Sequence, residues 1–196
     1  LPKSQAISRT HQPELFKPLK DSIQKGFRYY DGATDDARLT LFNALQAANH
    51  KALIKTRTKV IQLHRMNDLW EVTVKPHDGA PYVIKAKSLI NAAGPWVDVV
   101  AGMAQSESPT KITLVKGSHI VVPRLFEGSQ AYFMQHSDNR VIFAIPYQND
   151  TLIGTTDVAY QGSLEDVQIS EEEVAYLLAI TNNYFNTNLQ PKDVIH

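Results

Sequence analysis

A histidine preceded by a short polar run is the sharpest candidate for chemistry in this sequence. Residues 116–119 read Lys-Gly-Ser-His and stand between two apolar stretches that are typical of strands. A histidine next to a glycine, with a lysine nearby, can reach a bound substrate and accept a proton from it. The same pattern also fits a histidine on a sheet surface that only hydrogen-bonds a neighbour. His119 is thus a candidate general base, and the structural interpretation stays open.

A second candidate is the run Asn-Ala-Ala-Gly-Pro-Trp at residues 91–96. Small side chains after an apolar strand let the backbone come close to a flat ligand at the carboxyl edge of a sheet. Alternatively, the run is an ordinary strand-to-loop turn in which Gly94 supplies an unusual backbone angle. The residues alone do not separate these interpretations.

A third candidate is Gly-Thr-Thr-Asp at residues 154–157, where hydroxyls and a carboxylate cluster at a strand end. These groups can order a loop around a ligand or simply form a hydrogen-bonded turn. Other chemical signatures are missing from the sequence. None of the nine glycines forms a Gly-x-Gly-x-x-Gly fingerprint or a phosphate loop, and no histidine pair has metal-ligand spacing.

The first half of the chain is predicted to position residues 91–96. Thr34 or Asp35 can cap a helix with Asp36 in its first turn. Helical spacing predicts that one face of this helix is buried, namely Ala37, Leu41, Ala44, Leu45 and Ala48. Strands are predicted at 52–56, 59–63, 69–75 and 82–86, with Trp70, Val72 and Val74 on one face and a hairpin turn at 78–79. Residues 88–94 are apolar throughout and predict a strand buried on both faces, as in a parallel sheet.

The second half predicts a mostly antiparallel sheet and a final helix. Strands are expected at 112–115, 119–122, 131–135, 141–145 and 151–155. Residues 170–173 read Ser-Glu-Glu-Glu and predict a capping box. The helix that follows is predicted to bury Val174, Leu177, Leu178, Thr181 and Phe185.

The expected fold class is therefore α/β together with α+β. We predict an irregular lead-in at 1–30, the α/β part at 31–108 and the antiparallel sheet with its helix at 109–196. The formal net charge is zero, which argues against a nucleic-acid partner. The sequence has no cysteine and no apolar run of about 20 residues, the length needed to cross a bilayer, so an intracellular location is expected.

Taken in order, four segments resemble one family. They are residues 30–39, the Asn-Ala-Ala-Gly-Pro-Trp run at 91–96, Lys-Gly-Ser-His-Ile-Val-Val-Pro at 116–123 and Gly-Thr-Thr-Asp at 154–157. Their order and spacing resemble the middle of the FAD-dependent, aerobic-type glycerol-3-phosphate dehydrogenases, in the D-amino-acid oxidase-like flavoprotein group. The segment at 116–123 is the most particular to these enzymes. The resemblance covers residues 27–196.

The resemblance implies a fold and a set of site residues. Residues 31–108 match the central part of a glutathione-reductase-like FAD-binding domain with its β-meander, and residues 109–196 match part of the substrate-binding domain. For the cofactor FAD, Val60 matches a position beside the adenine, and Ala92, Ala93, Gly94 and Trp96 match the loop along the flavin. For the substrate, the matching residues are His119, also the expected catalytic base, and Lys116.

The reaction implied is oxidation of sn-glycerol 3-phosphate to dihydroxyacetone phosphate, with electrons passed to a quinone. The resemblance also implies a cytoplasmic enzyme, peripheral on the inner membrane, and exposed edges make a homodimer possible. Because the dinucleotide fingerprint and the phosphate-binding arginines are not in this sequence, we expect an internal fragment that is itself inactive. Two alternatives stay open: an amine or amino-acid oxidase of the same flavoprotein group, and a non-catalytic ligand-binding module.

Overall fold

A computed structural model describes residues 2–105 and 112–196, which form four α-helices and eleven β-strands. The helices are α1 (Pro13–Phe16), α2 (Asp36–Asn49), α3 (Val97–Met103) and α4 (Glu171–Tyr184). The strands are β1 (Gln5–Ser8), β2 (Lys25–Arg28), β3 (Thr58–Met66), β4 (Leu69–Pro76), β5 (Tyr82–Ala86), β6 (Val115–Lys116), β7 (His119–Pro123), β8 (Tyr132–Gln135), β9 (Val141–Tyr147), β10 (Asp150–Gly154) and β11 (Val158–Ala159). Short 3₁₀ turns lie at Gly94–Trp96 and Pro191–Asp193.

The chain divides into two compact units. The first comprises Leu1–Asp31 and Thr113–His196, and the second comprises Gly32–Ile112. The predicted combination of a meander-containing part and an antiparallel sheet with a helix is confirmed.

The first unit is built on a four-stranded antiparallel sheet in the order β7–β10–β9–β8. Alternate side chains point to one face and join a core with α4, among them Ile120, Ile142 and Ile153. Period-two alternation in the sequence is what places these residues inside, because successive strand side chains point to opposite faces. We call the opposite side of this sheet, which carries His119, Val121, Phe133, Phe143 and Leu152, the outer face.

Helix α4 begins with the predicted capping box. The Ser170 hydroxyl accepts from the Glu173 amide at 3.2 Å, and the Glu173 carboxylate accepts from the Ser170 amide at 2.9 Å. Leu177, Leu178 and Thr181 are buried as predicted, and Phe185 just after the helix is also in the core. Val174 is only partly buried.

Residues 1–31 differ from the irregular lead-in that we predicted. Strands β1 and β2 pair antiparallel, and Phe16 and Leu19 are buried in the core that contains α4. Arg9 donates hydrogen bonds to the carbonyl oxygens of Leu19, Lys20 and Ile23. Three prolines made the segment look irregular, whereas these non-local contacts order it.

The second unit contains the predicted meander, a three-stranded sheet in the order β3–β4–β5. Leu63, Val72 and Val74 form its small core, and Trp70 packs against them. The pairing register of β3 and β4 shifts between Val60 and Gln62, which marks a β-bulge.

Helix α2 has the predicted cap but not the predicted burial. The Asp35 carboxylate accepts from the Arg38 amide at 3.0 Å, as a capping residue should. No residue of the helix is buried, and Leu41 and Leu45 are about half exposed. The apolar spacing specifies a helix, but burial of its face requires a second element to pack on it, which the described residues of this unit do not supply.

Two predicted strands are also absent from the described part of the chain, and of the strand predicted at 112–115 only Val115 lies in a strand, β6. Residues 52–56 and 88–93 are irregular, and Ile90 is 89% exposed. A strand buried on both faces needs pairing partners and covering helices, and residues 88–93 have neither among the described residues. None of the helices in the described ranges has the length and apolar character needed to cross a membrane.

Candidate active site

His119 stands at one end of a row of residues that crosses the outer face. It pairs with Gly154 on β10, Gly154 pairs with Phe143 on β9, and Phe143 pairs with Phe133 on β8. Because Gly154 has no side chain, the space above its backbone is free for the imidazole of its neighbour in the row. The register of the sheet therefore sets the histidine next to a glycine.

The His119 ring lies directly on the backbone of Gly154. A Cβ atom added to Gly154 would be 2.1 Å from His119 Cδ2 and 2.7 Å from Nε2, far inside van der Waals contact. The close approach needs a residue without a side chain. The glycine that opens the Gly-Thr-Thr-Asp run thus fixes where the imidazole can lie.

Partial burial lowers the pKa of His119 below its usual value of 6.5. Desolvation disfavours the charged imidazolium, and within the described ranges no hydrogen bond to the ring offsets this effect. The ring is therefore neutral near pH 7, the form in which an imidazole nitrogen accepts a proton.

The rest of the outer face is apolar and partly open. Phe133 and Phe143 meet edge to face at 5.3 Å, and Tyr29 packs on Phe133 at 6.3 Å. Beside His119 an open groove of about 620 Å³ is lined by Val121, Tyr147, Asp150, Leu152, Ile195 and His196. A concave, mostly apolar surface with a few polar groups is typical of a small-molecule site.

A buried carboxylate lies on the other side of the segment that leads to His119. Glu173 Oε1 accepts from Ser118 Oγ at 2.9 Å and from Thr156 Oγ1 at 2.7 Å, and Oε2 lies 2.6 Å from Lys116 Nζ. Burial opposes ionisation of this group, but these bonds and that from the Ser170 amide outweigh burial and lower the pKa of Glu173 to about 2. Glu173 is therefore ionised at neutral pH.

Lys116, predicted to bind substrate, is engaged within this cluster. Besides the pair with Glu173, its ammonium donates to the Gln168 carbonyl oxygen at 2.8 Å, and its side chain is only 13% exposed. Its role in binding substrate stays a prediction. In this structure its charge is balanced by a buried carboxylate and is not directed to the outer face.

The predicted cofactor-binding loop belongs to the second unit. Asn91 holds it, because its side-chain amide donates to the Val97 carbonyl oxygen at 2.8 Å and its oxygen accepts from the Ala93 amide at 3.3 Å. Gly94 has a positive φ of 53°, and an added Cβ there would meet nothing within 4 Å. Trp96 is 45% exposed. The loop thus presents accessible backbone and short side chains.

Val60, the other predicted cofactor residue, immediately precedes the bulge in β3. It pairs with Val74 and packs partly on the core of the meander. Bulges re-aim backbone groups and are frequent next to functional sites. The structure places Val60 and the 91–96 loop in the second unit and His119 with Lys116 in the first.

Glu173 was not identified as a site residue from the sequence, and Thr156 was named only as part of the candidate run at 154–157. Glu173 carried only a capping signal, and Thr156 was one of several hydroxyls in a turn. Ser118, Thr156 and Glu173 are separated by 38 and 17 residues along the chain, so no local pattern connects them. Within the described ranges no group of three or more histidine, aspartate or glutamate side chains could hold a metal ion.

The first unit presents His119 on an open, mostly apolar face of an antiparallel sheet, and the second unit contains a meander and an exposed loop of small residues. The chain belongs to the family of FAD dependent oxidoreductases, which matches residues 1–196. The predicted family and its cofactor, FAD, are confirmed.

Named relatives agree with this assignment. A glycerol-3-phosphate dehydrogenase of Pseudomonas aeruginosa is 47% identical over 91% of this chain and 35% of its own length. A D-erythritol 1-phosphate dehydrogenase of Brucella abortus is 44% identical over 100% of this chain and 39% of its own. The structure of a glycerol-3-phosphate dehydrogenase of Bacillus halodurans complexed with FAD superposes with a TM-score of 0.87 at 31% identity, covering 97% of this chain and 42% of that one. The chain therefore spans little more than a third of the length of the two curated relatives.

The residues present fit part of an FAD site. Ala92 and Gly94 are exposed, and the open space at Gly94 leaves the backbone accessible to a flat ring system. The glycine fingerprint that binds a pyrophosphate at a helix N-terminus does not occur in this sequence. The second unit thus offers an accessible loop of small residues, whereas the roles of this loop and of Val60 in holding FAD stay predictions.

Proposed function

We propose that this chain is part of an enzyme that oxidises sn-glycerol 3-phosphate at C2 to dihydroxyacetone phosphate, with His119 as the base. The observation that carries the proposal is the neutral His119 ring held on Gly154 beside an open groove. The 47% identity to a protein named glycerol-3-phosphate dehydrogenase supports the choice of substrate.

The proposed oxidation is shared between the cofactor and His119 on the outer face. FAD, when bound, accepts a hydride from the substrate carbon. A ring nitrogen of His119 takes the hydroxyl proton as the C2–H bond breaks and the C=O bond forms.

Residues of the second unit are proposed to hold the cofactor. The backbone of Ala92, Ala93 and Gly94 lies along the flavin, with Trp96 at the end of the loop and Val60 beside the adenine. The short side chains and the open space at Gly94 support this placement. Lys116 is also proposed to bind substrate, although in this structure its ammonium is paired with Glu173.

The electron acceptor, location and assembly are further parts of the proposal. We propose a quinone as acceptor, attachment to the cytoplasmic side of the inner membrane and a homodimer. The quinone and the membrane location follow from the resemblance, and the homodimer follows from exposed strand edges. The half-exposed Leu41 and Phe42 of α2 offer a further apolar surface that assembly would cover. Sedimentation of the purified protein, and its partition onto vesicles with and without quinone, test them.

D-erythritol 1-phosphate is a second candidate substrate. The protein named for it is 44% identical across the whole of this chain. Both compounds are phosphorylated polyols with a secondary alcohol, so His119 would serve either one. An amine or amino-acid oxidase receives no comparable support from the relatives described above.

The test is dye-coupled oxidation of sn-glycerol 3-phosphate by the complete polypeptide that contains this sequence. We expect His119→Ala to lower kcat about a hundredfold or more in flavin-loaded protein, because a positioned base contributes rate increases of that order. The matched control is His11→Ala, which removes an exposed histidine whose contact is Ser8 at 2.8 Å.

The outcomes separate the alternatives. Full activity of the His119→Ala variant would remove the role as base. A flavin-loaded wild type that oxidises an amine but neither polyol phosphate would favour the oxidase alternative. A higher kcat/KM for D-erythritol 1-phosphate would change the substrate and keep the site.

A further inference from the structure

We propose that Glu173 is a positioning residue for His119, because its single carboxylate links the two chain segments that flank the His119–Gly154 pair. This proposal rests on the proposed function of His119. Glu173 lies outside the groove and is only 6% exposed, so it acts through these segments rather than on the substrate.

The first step of the argument is the path of the chain. Ser118 immediately precedes His119 at the start of β7, and Thr156 follows Gly154 by two residues at the end of β10. Beyond these points the chain continues into a separate two-stranded sheet, in which Lys116 pairs with Val158. The segment before His119 and the segment after Gly154 therefore pass from one sheet to the other at the same end of the His119–Gly154 pair.

The second step is the direct link between the two segments. The Ser118 amide donates to Thr156 Oγ1 at 2.8 Å, and the Thr156 amide donates to the Ser118 carbonyl oxygen at 3.1 Å. The approach at this point is close, since a Cβ on Gly117 would be 2.6 Å from Thr155 Oγ1. These two hydrogen bonds thus hold the segments together where the pairing of β7 with β10 ends.

The third step is the carboxylate itself. Both hydroxyls, from Ser118 and Thr156, donate to Glu173 Oε1, while Lys116 and the Ser170 amide donate to Oε2. All four partners donate, and two of them, the Lys116 ammonium and the Ser170 amide, cannot accept. A neutral amide would remove the negative charge opposite Lys116, and it would turn its NH₂ group toward the two hydroxyls, which would have to reorient to accept from it.

The consequence is a rigid frame around the imidazole. Among the described residues no hydrogen bond holds the His119 ring, and its place depends on the backbone that carries it and on contact with Gly154. Because Glu173 is anchored in α4, it connects that backbone to the largest helix of the core in this unit. Loosening this link would let the ring move while the fold persists.

The test is Glu173→Gln in the complete flavin-loaded enzyme, combined with His119→Ala in a double-mutant cycle. We expect Glu173→Gln to lower kcat about tenfold or more with little change in KM, since small misplacements of a reacting group are costly. In the His119→Ala background the same substitution should change kcat less than about twofold, because its effect passes through the missing ring.

Ser170→Ala is the matched control. It removes the hydroxyl that caps the Glu173 amide and so weakens the start of α4, but it leaves all four donors to the carboxylate in place. We expect kcat of this variant to stay within about twofold of wild type. Such a result would show that weakening α4 does not by itself reproduce the effect.

Two results would overturn the proposal. One is a folded Glu173→Gln enzyme with kcat within twofold of wild type; the other is an equal loss of kcat with and without His119. Should Glu173→Gln not fold, Thr156→Val removes one donor at nearly constant shape, and the same cycle with His119→Ala decides the matter. Failure of the proposed function is recognised separately, because His119→Ala alone would then leave kcat unchanged.

Discussion

Replacing Gly154 with alanine tests the placement of the catalytic histidine most directly. The new Cβ would lie 2.1 Å from His119 Cδ2, and ordinary van der Waals contact begins near 3.4 Å. The ring must therefore retreat by about 1.3 Å. His119 is exposed on its other side, so the ring can rotate away. We therefore expect the free energy of unfolding to fall by about 1–3 kcal/mol, as is typical of local overpacking. A displacement of about 1 Å in a reacting group can cost a hundredfold in rate, so kcat should fall by about that factor.

The assay is dye-coupled oxidation of sn-glycerol 3-phosphate by the complete polypeptide, with flavin content measured on the same samples. Gly26→Ala is the matched control, because Gly26 is also a strand glycine of the first unit and its added Cβ would make ordinary contacts of 3.8 Å or more. We expect the control to keep full activity and the Gly154→Ala variant to lose it with normal flavin content. If Gly154→Ala stays within about threefold of wild type, catalysis does not depend on the ring position described here.

Two further predictions concern pH and the core. Since desolvation lowers the pKa of His119 below 6.5, kcat/KM should stay high as pH falls to 6.5 and decline only below it, where the imidazole takes up a proton. This decline at acidic pH should be absent from the residual activity of His119→Ala. A decline centred above pH 6.5 in the wild type would contradict the reasoning. Leu177→Ala, at a fully buried position of α4, should lower the free energy of unfolding in urea by about 2–5 kcal/mol. Ala175→Ser, on the exposed face of the same helix, should lower it by about 0.5 kcal/mol or less. Equal losses would show that the Leu177 face of α4 does not form the core.

Local signals in the sequence determined most of the secondary structure. The Ser170–Glu173 capping box and the Asp35 cap involve residues three positions apart, so their geometry follows from the sequence nearby. Strands β4, β5 and β7 to β10 follow period-two alternation, because a sheet with one buried face imposes that pattern on every strand. The order of the motifs at 91–96, 116–123 and 154–157 was enough to identify the family.

Only the tertiary structure decided which surfaces are covered and which groups meet. The apolar faces of α2 and of residues 88–93 look like buried elements, yet burial depends on partners that no local pattern specifies. The same reason explains why residues 1–31 join the core of the first unit in spite of their prolines.

The site shows this division most clearly. The sequence by itself determined that His119 would follow a Lys-Gly-Ser turn at the start of a strand. That its ring rests on Gly154, 35 residues later, depends on the register of β7 against β10. Glu173 accepts hydrogen bonds from Ser118 and Thr156 and pairs with Lys116, and these contacts depend on how α4 packs on the sheet. Pairing register and helix packing are set by the sum of many non-local contacts, so tertiary structure alone could bring these side chains together.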